Sequence, residues 1–217
     1  VVSDLFWKIQ RSMARIDWHL ASLNEQPNPR NLVLAALVLI EDKISLIPQL
    51  FLADIAHAPA PLSSSENSLI AALSDRDITD PEMADHIAFE WPKWLMDDTR
   101  AGLGDSWARE LSALLVEAHT DVRVNTLKLA DRRKLRDKLA GRNLKGQPTK
   151  LSPIGFRLKK RARFDHLPEW KAGLFDIQDE GSQIAAILCD ARPGMQVADI
   201  CAGAAGKSLV MAANMQN

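Results

Sequence analysis

Residues 196–211 constrain this chain more than any other stretch. An apolar run, Gln196-Val197-Ala198-Asp199-Ile200-Cys201, gives way to small residues alone, Ala202-Gly203-Ala204-Ala205-Gly206, and reopens as Lys207-Ser208-Leu209-Val210-Met211. An apolar run, glycine punctuation and a helix-favouring run predict strand, turn and helix. In an open α/β sheet such a turn follows the strand's carboxyl end. Its lack of side chains lets the backbone approach a ligand, and the first N–H groups of the helix point outward.

Three ligand classes compete for the turn. A phosphate-binding P-loop needs glycine five positions before Gly206, where Cys201 stands, so that spacing fails. A dinucleotide fingerprint needs glycine at 203, 205 and 208, and the chain offers Gly203, Ala205 and Ser208, a weak match. What remains is acid-x-x-x-Gly-x-small, the usual first motif of methyltransferases that use S-adenosylmethionine. Taken alone, it reads equally as a plain structural βα turn.

Two earlier segments sharpen the choice. Asp199-Ile-Cys-Ala-Gly-Ala-Ala-Gly-Lys-Ser, Arg123-Val-Asn-Thr-Leu-Lys128 and Gln178-Asp-Glu-Gly-Ser-Gln183 resemble, in the same order, three motifs of the Sun-type RNA cytosine-5 methyltransferases, a bacterial family that modifies ribosomal RNA. The resemblance covers residues 122–217 and is looser before them. It implies S-adenosylmethionine as cofactor, with the backbone of Ala202, Gly203, Ala204, Ala205 and Gly206 around its methionine end. It also implies that Lys207 pairs with the cofactor's carboxylate. Asp199 is expected to shape the turn or accept from the cofactor's amino group, and Cys201 to line the loop. Ala205 stands where the family usually has glycine, so a tighter turn and weaker cofactor binding are expected.

Carbon 5 of cytosine is a poor nucleophile. Enzymes of this class first add a cysteine thiolate to carbon 6, which demands an activated cysteine beside a flipped-out base. The family's two catalytic cysteines belong to later motifs, so no catalytic residue is expected among these 217. Cys189, at helical spacing with Ile184, Ala185 and Leu188, is expected as a buried small hydrophobe. The chain starts with valine and ends at residue 217, soon after the first cofactor motif. It is expected to be an inactive piece of a longer enzyme.

The net charge of −1 conceals a segmental polarity. Residues 1–121 carry 9 basic and 19 acidic side chains, residues 122–178 carry 16 and 5, and residues 179–217 carry 2 and 4. A positive block between acidic neighbours suggests a polyanion-binding module, because Lys and Arg contacts to phosphates release counterions. The alternative is intramolecular, with the basic block docked on the acidic region. The expected RNA contacts are Arg123, Asn125 and Lys128, some sharing a solvent face of a strand, and the cluster Lys159, Lys160, Arg161 and Arg163. Phe156 and Phe164 are expected in a core rather than as stacking platforms.

The longest apolar run, residues 32–40, falls far short of the ~20 residues that a membrane-spanning helix requires. No membrane partner is therefore expected. Two cysteines suit a reducing cytoplasm, and neither they nor the scattered histidines have metal-ligand spacing. A monomer is favoured.

Residues 1–118 read as helices throughout. Leu5, Ile9, Met13, Ile16 and Leu20 predict one amphipathic helix over 3–23. Residues 24–31, with two prolines, break it, and the apolar run 32–40 predicts a central helix. Pro48 starts another, and Ser65 is placed to cap a helix to residue 73. Asp80-Pro81-Glu82 predicts a helix start. Trp91 and Trp94 are expected as packing anchors rather than base-stacking platforms, and residues 107–118 close the bundle. The acidic balance of this region argues against a broad phosphate-binding face and for a scaffold or docking role.

From residue 121 the pattern changes. A strand over 122–129, a helix from Asp131 to Gly141, a strand over 155–160 continued through 164, and a strand over 174–177 suggest a small α/β module, which the resemblance implies is RNA-recognition-like. The expected fold class is α + α/β multidomain. It comprises an all-helical domain (1–120), a basic α/β RNA-binding module (121–178) and the beginning of a Rossmann-like methyltransferase domain (179–217). The expected function is methylation of cytosine in small-subunit ribosomal RNA. The alternative is a non-catalytic RNA-binding or ribosome-assembly protein that keeps the family's front half.

Overall fold

Backbone contacts separate the chain into two units, Val1–Glu117 and Ala118–Asn217. The structure, a computed structural model, describes residues 2–52, 57–129 and 131–217.

The first unit is helical: α1 (Val2–Gln10), α2 (Met13–Ser22), α3 (Pro29–Leu39), α4 (Ile47–Leu50), α5 (Ser64–Leu73), α6 (Asp85–Ala88), α7 (Met96–Leu103) and α8 (Trp107–Leu115). Helix α3 starts where Asn28 accepts the Arg30 and Asn31 N–H groups, with Pro29 at the first helical position, where a missing N–H costs nothing. Leu34, Ala35 and Ala36 are fully inaccessible. The apolar run is therefore central, and α1, α2 and α5 pack around it.

Four helix boundaries depart from expectation, the first being α3, which starts at Pro29 within the stretch 24–31 expected as a break. The amphipathic stretch 3–23 is two helices, because the Glu90 carboxylate, some 75 residues away in sequence, accepts the N–H groups of Ala14 (2.9 Å) and Arg15 (3.0 Å) and the Arg15 Nε–H (3.1 Å). A tertiary side chain starts α2, which no local pattern announces. Helix α5 is capped by Ser63 rather than Ser65, because only Ser63 closes a capping box with Glu66. Residues 80–83 form a turn in which Asp80 accepts the Glu82 N–H at 2.8 Å, and helix α6 starts at Asp85. Trp91 donates to Thr99 Oγ1 at 2.9 Å and is half-buried. Trp94 is 78% exposed and anchors nothing.

The second unit runs β1 (Asp121–Val124), α9 (Arg132–Ala140), β2 (Gly146–Pro148), β3 (Gly155–Leu158), α10 (Pro168–Lys171), β4 (Phe175–Ile177), α11 (Glu180–Leu188) and α12 (Gly206–Met215). Its antiparallel sheet has the order β2-β3-β1-β4. With the element order βαββαβ, that is ferredoxin-like topology. Strand β1 is central and buried along its length, and α9 covers it with the fully buried Leu135 and Leu139. Asp131 caps α9 by accepting the Arg133 N–H at 2.7 Å. Phe156 and Phe164 lie in the core, as expected.

Strand β1 ends at Val124, five residues early, because Asn125 folds its amide back onto the Leu127 N–H. Residues 161–164 leave the sheet after β3, with Phe164 turned into the aromatic cluster with Trp170 and Phe175. Strand β2 is a short edge strand holding Gly and Pro, the residues that most weaken a strand pattern. Residues 196–201, the apolar run expected as a strand, form none. A strand exists through its ladder, and no described segment pairs with this one.

His19 is fully buried, its Nε2 donating to the Ile78 carbonyl at 3.3 Å and its Nδ1 without a partner. Burial holds its pKa below the ordinary 6.5. The neutral ring is the folded form, so its contribution is present above pH 6.5 and is lost as pH falls below it. Thermal melts of the first unit should therefore shift down on acidification below pH 6.5, and His19→Gln should flatten that slope.

Candidate cofactor loop and nucleic-acid interface

The loop before α12 is a turn with two left-handed residues, Gly203 (φ +51) and Ala205 (φ +59). The Ala205 N–H donates to the Ala202 carbonyl at 2.7 Å, and Leu209 N–H to the Ala205 carbonyl at 2.9 Å. Ser208 Oγ donates to Asp199 Oδ2 at 2.7 Å. Asp199 thereby ties the incoming chain to the first turn of the helix. Residues 200–203 and Lys207 are exposed, and no side chain caps α12. Uncapped N–H groups at a helix start, beside the exposed Lys207 ammonium, suit a carboxylate. The left-handed angles explain why glycine is favoured at position 205: an L side chain there costs roughly 1–2 kcal/mol.

The expected RNA contacts divide into two groups. The Arg123 side chain is only 4% exposed and reaches Asp176 at 3.3 Å, its Nε is unpartnered, and burial lowers its pKa. Asn125 donates to the Gly173 carbonyl at 3.0 Å, and Lys128 to the Ala172 carbonyl at 2.9 Å. These three do not share a solvent face, as strand alternation predicted. Arg123 is buried against Asp176 of β4, while Asn125 and Lys128 brace the turn between α10 and β4, because the strand stops before the alternation reaches Lys128. Lys159, Lys160 and Arg161 are exposed, as is Arg163, which pairs with Asp165 at 3.0 Å. The first three line a cavity of about 360 Å³ together with Lys145 and Asn143. Sequence reasoning missed Lys145 and Asn143, which lie in the preceding helix–strand connection and reach the cluster only through the β2–β3 hairpin.

The Gln178–Gln183 motif has a structural role. Asp179 caps α11 by accepting the Ser182 N–H at 2.9 Å. Glu180 accepts the N–H groups of Ser152 (2.9 Å) and Leu151, which hold its pKa below the ordinary carboxylate range. The fully buried Gln183 accepts from Ser152 Oγ at 2.6 Å and donates to the Gln178 carbonyl at 2.7 Å. Beside them Arg157 grips the buried Asp121 through two bonds of 2.7 and 2.6 Å, with Glu180 at 3.7 Å. From the other side Arg132 donates to the Ser152 carbonyl at 2.6 Å. Only glycine fits at 155, where a Cβ would collide with Thr149 Oγ1 and sit 2.7 Å from Gln183 Oε1.

Residues 91–165 match the family model described as the ferredoxin-like domain of RsmF/B-like methyltransferases. The ribosomal RNA small subunit methyltransferase B of Xylella fastidiosa is 32% identical over 118 residues, covering 54% of this chain and 28% of that protein. Over this stretch the chain is similar to the Sun-type family. The matched stretch thus spans less than a third of that relative's length. Among solved structures, a methyltransferase homologue from Pyrococcus horikoshii is 27% identical with a TM-score of 0.55, covering 63% of this chain and 45% of that one. The crystal structure of PH0851, 19% identical with a TM-score of 0.69, shares the fold across 100% of this chain and covers 52% of that one.

The Gln178–Gln183 motif bolts α11 to the ferredoxin-like sheet. Cys189, expected to be buried, is exposed, because it lies at the C-terminal end of α11 where that helix leaves its packing. Cys201 is exposed in the loop. Among the described residues no group of His, Cys, Asp or Glu is arranged to hold a metal, and no helix is long and apolar enough to cross a membrane.

Removing Arg157 strands a buried carboxylate, which costs about 3 kcal/mol. Arg157→Met should therefore speed hydrogen exchange of the β1 and β3 amides by about 100-fold, and adding Asp121→Asn should recover part of the loss. Ala205→Gly should stabilise the first turn of α12 by up to ~1 kcal/mol, since glycine's backbone entropy offsets some of the relieved strain. Slower exchange of the Leu209 amide, which donates to the Ala205 carbonyl, would register it.

Proposed function

We propose that this chain belongs to a Sun-type RNA cytosine-5 methyltransferase that acts on small-subunit ribosomal RNA. The observation that carries the reading is the turn before α12, with two left-handed residues, an uncapped helix start and an exposed lysine. S-adenosylmethionine, when bound, supplies an electrophilic methyl group. The backbone of residues 202–206 would receive its methionine end and Lys207 its carboxylate, while Asp199 holds the turn through Ser208 and Cys201 lines the loop. The exposed cations Lys159, Lys160, Arg161 and Arg163 would meet phosphates. In this reading Arg123 holds β1 to β4, and Asn125 and Lys128 fix the turn beside β4.

The chemistry requires a cysteine thiolate at carbon 6 of the base. Neither Cys189 nor Cys201 is given that role. Cys189 Sγ donates to the Ala185 carbonyl of its own helix at 3.4 Å, and Cys201 lies in the cofactor turn itself. The protein expressed from its native coding sequence should transfer labelled methyl groups from S-adenosylmethionine to unmodified small-subunit RNA, with 5-methylcytidine as the product by nucleoside mass spectrometry. The 217-residue polypeptide should transfer none. Absence of 5-methylcytidine from the native protein's reaction, or its formation by the isolated polypeptide, would overturn this assignment.

A further inference from the structure

Of the 16 Lys and Arg side chains in residues 122–178, six of the eight arginines have protein partners, with Arg136 and Arg163 pairing at the exposed surface. Arg123, Arg136, Arg142, Arg157 and Arg163 pair with carboxylates, and Arg132 binds backbone carbonyls. The cations around one cavity are different. Lys159 and Lys160 are exposed, Lys145 and Arg161 line the same space, and no carboxylate lies between them. Its floor is aliphatic, formed by Leu158, 4% exposed, and Leu144, which packs on the core of the second unit.

The cavity exists because two elements end together. Helix α9 stops with Leu144 N–H on the Leu139 carbonyl and Asn143 left-handed at φ +62, a conformation asparagine tolerates. Beyond the β2–β3 ladder, Lys159 N–H donates to the Lys145 carbonyl at 3.0 Å. The helix end brings about half a negative charge to one lip, which four cationic side chains outweigh.

We propose that this cavity receives one unpaired nucleotide of an RNA strand, its phosphate held by Lys145, Lys159, Lys160 and Arg161 and its base lying on Leu144 and Leu158. The inference rests on the RNA reading above and adds a place and a form of ligand. A volume of about 360 Å³ is at the small-ligand end of binding cavities, which suits one nucleotide and not a helical groove. No aromatic side chain lines it, so base selectivity is weak and most of the affinity is electrostatic and salt-dependent.

The test is fluorescence anisotropy of a short labelled single-stranded oligoribonucleotide with the 217-residue chain across a salt series. Lys145→Gln, remote in sequence from the 159–161 cluster, is expected to weaken binding several-fold. It should also reduce the slope of log K against log salt by about 0.7, one single-strand phosphate contact. Cross-links from 4-thiouridine should map to 143–145 or 158–161. If Lys160→Gln lowers affinity and slope while Lys145→Gln changes neither, the basic strip binds RNA and the cavity assignment is wrong. If neither variant changes binding, the RNA reading itself falls. Equal affinity for a duplex of the same sequence overturns the unpaired-nucleotide assignment.

Discussion

Asp121 is a carboxylate almost wholly removed from water at the start of the central strand, and the second unit is arranged to neutralise it. Arg157 from the neighbouring strand supplies a two-point grip, and the Glu180 N–H adds a third donor at 3.3 Å. A buried carboxylate left unpaired costs several kcal/mol, so the register of β1 against β3 and the position of α11 are fixed by one electrostatic requirement. Glu180, whose backbone N–H serves Asp121, uses its own side chain to hold residues 151 and 152. The sheet and α11 are thereby joined through charge and hydrogen bonding as well as apolar packing.

That arrangement changes how the basic segment should be read. Positive charge counted along a sequence is an upper bound on the charge presented to a ligand. Here Arg157 and Arg123 are paired within the sheet, and Arg132 satisfies carbonyls of the β2–β3 connection. These three arginines, whose planar forks suit fixed partners, are committed within the unit. Lysines dominate the set around the cavity, where a mobile point charge suits a phosphate that arrives from solution.

The loop before α12 is built on a different principle. Asp199 and Ser208 close the turn, while the helix start has no side-chain cap. Such an end is costly in isolation and favourable once an anion meets it. Ala205 adds strain at the same point, so the turn is held against a local preference by the elements on either side.

Much of this was legible in the sequence because it is local. Asp131 before a basic amphipathic run and the small-residue turn at 202–206 each encode their own geometry within a few residues, whereas Asn28 and Pro29, expected within a break, start α3. The α3 core helix and the buried faces of α9 followed from periodicity for the same reason. Tertiary structure alone decided the rest. It set the break between α1 and α2 through Glu90, buried Arg123 against Asp176, recruited β2 despite its glycine and proline, exposed Trp94 and Cys189, and brought Lys145 to Lys159. Each of these depends on a partner distant in sequence, and pairing energy across space leaves no periodic mark on the chain.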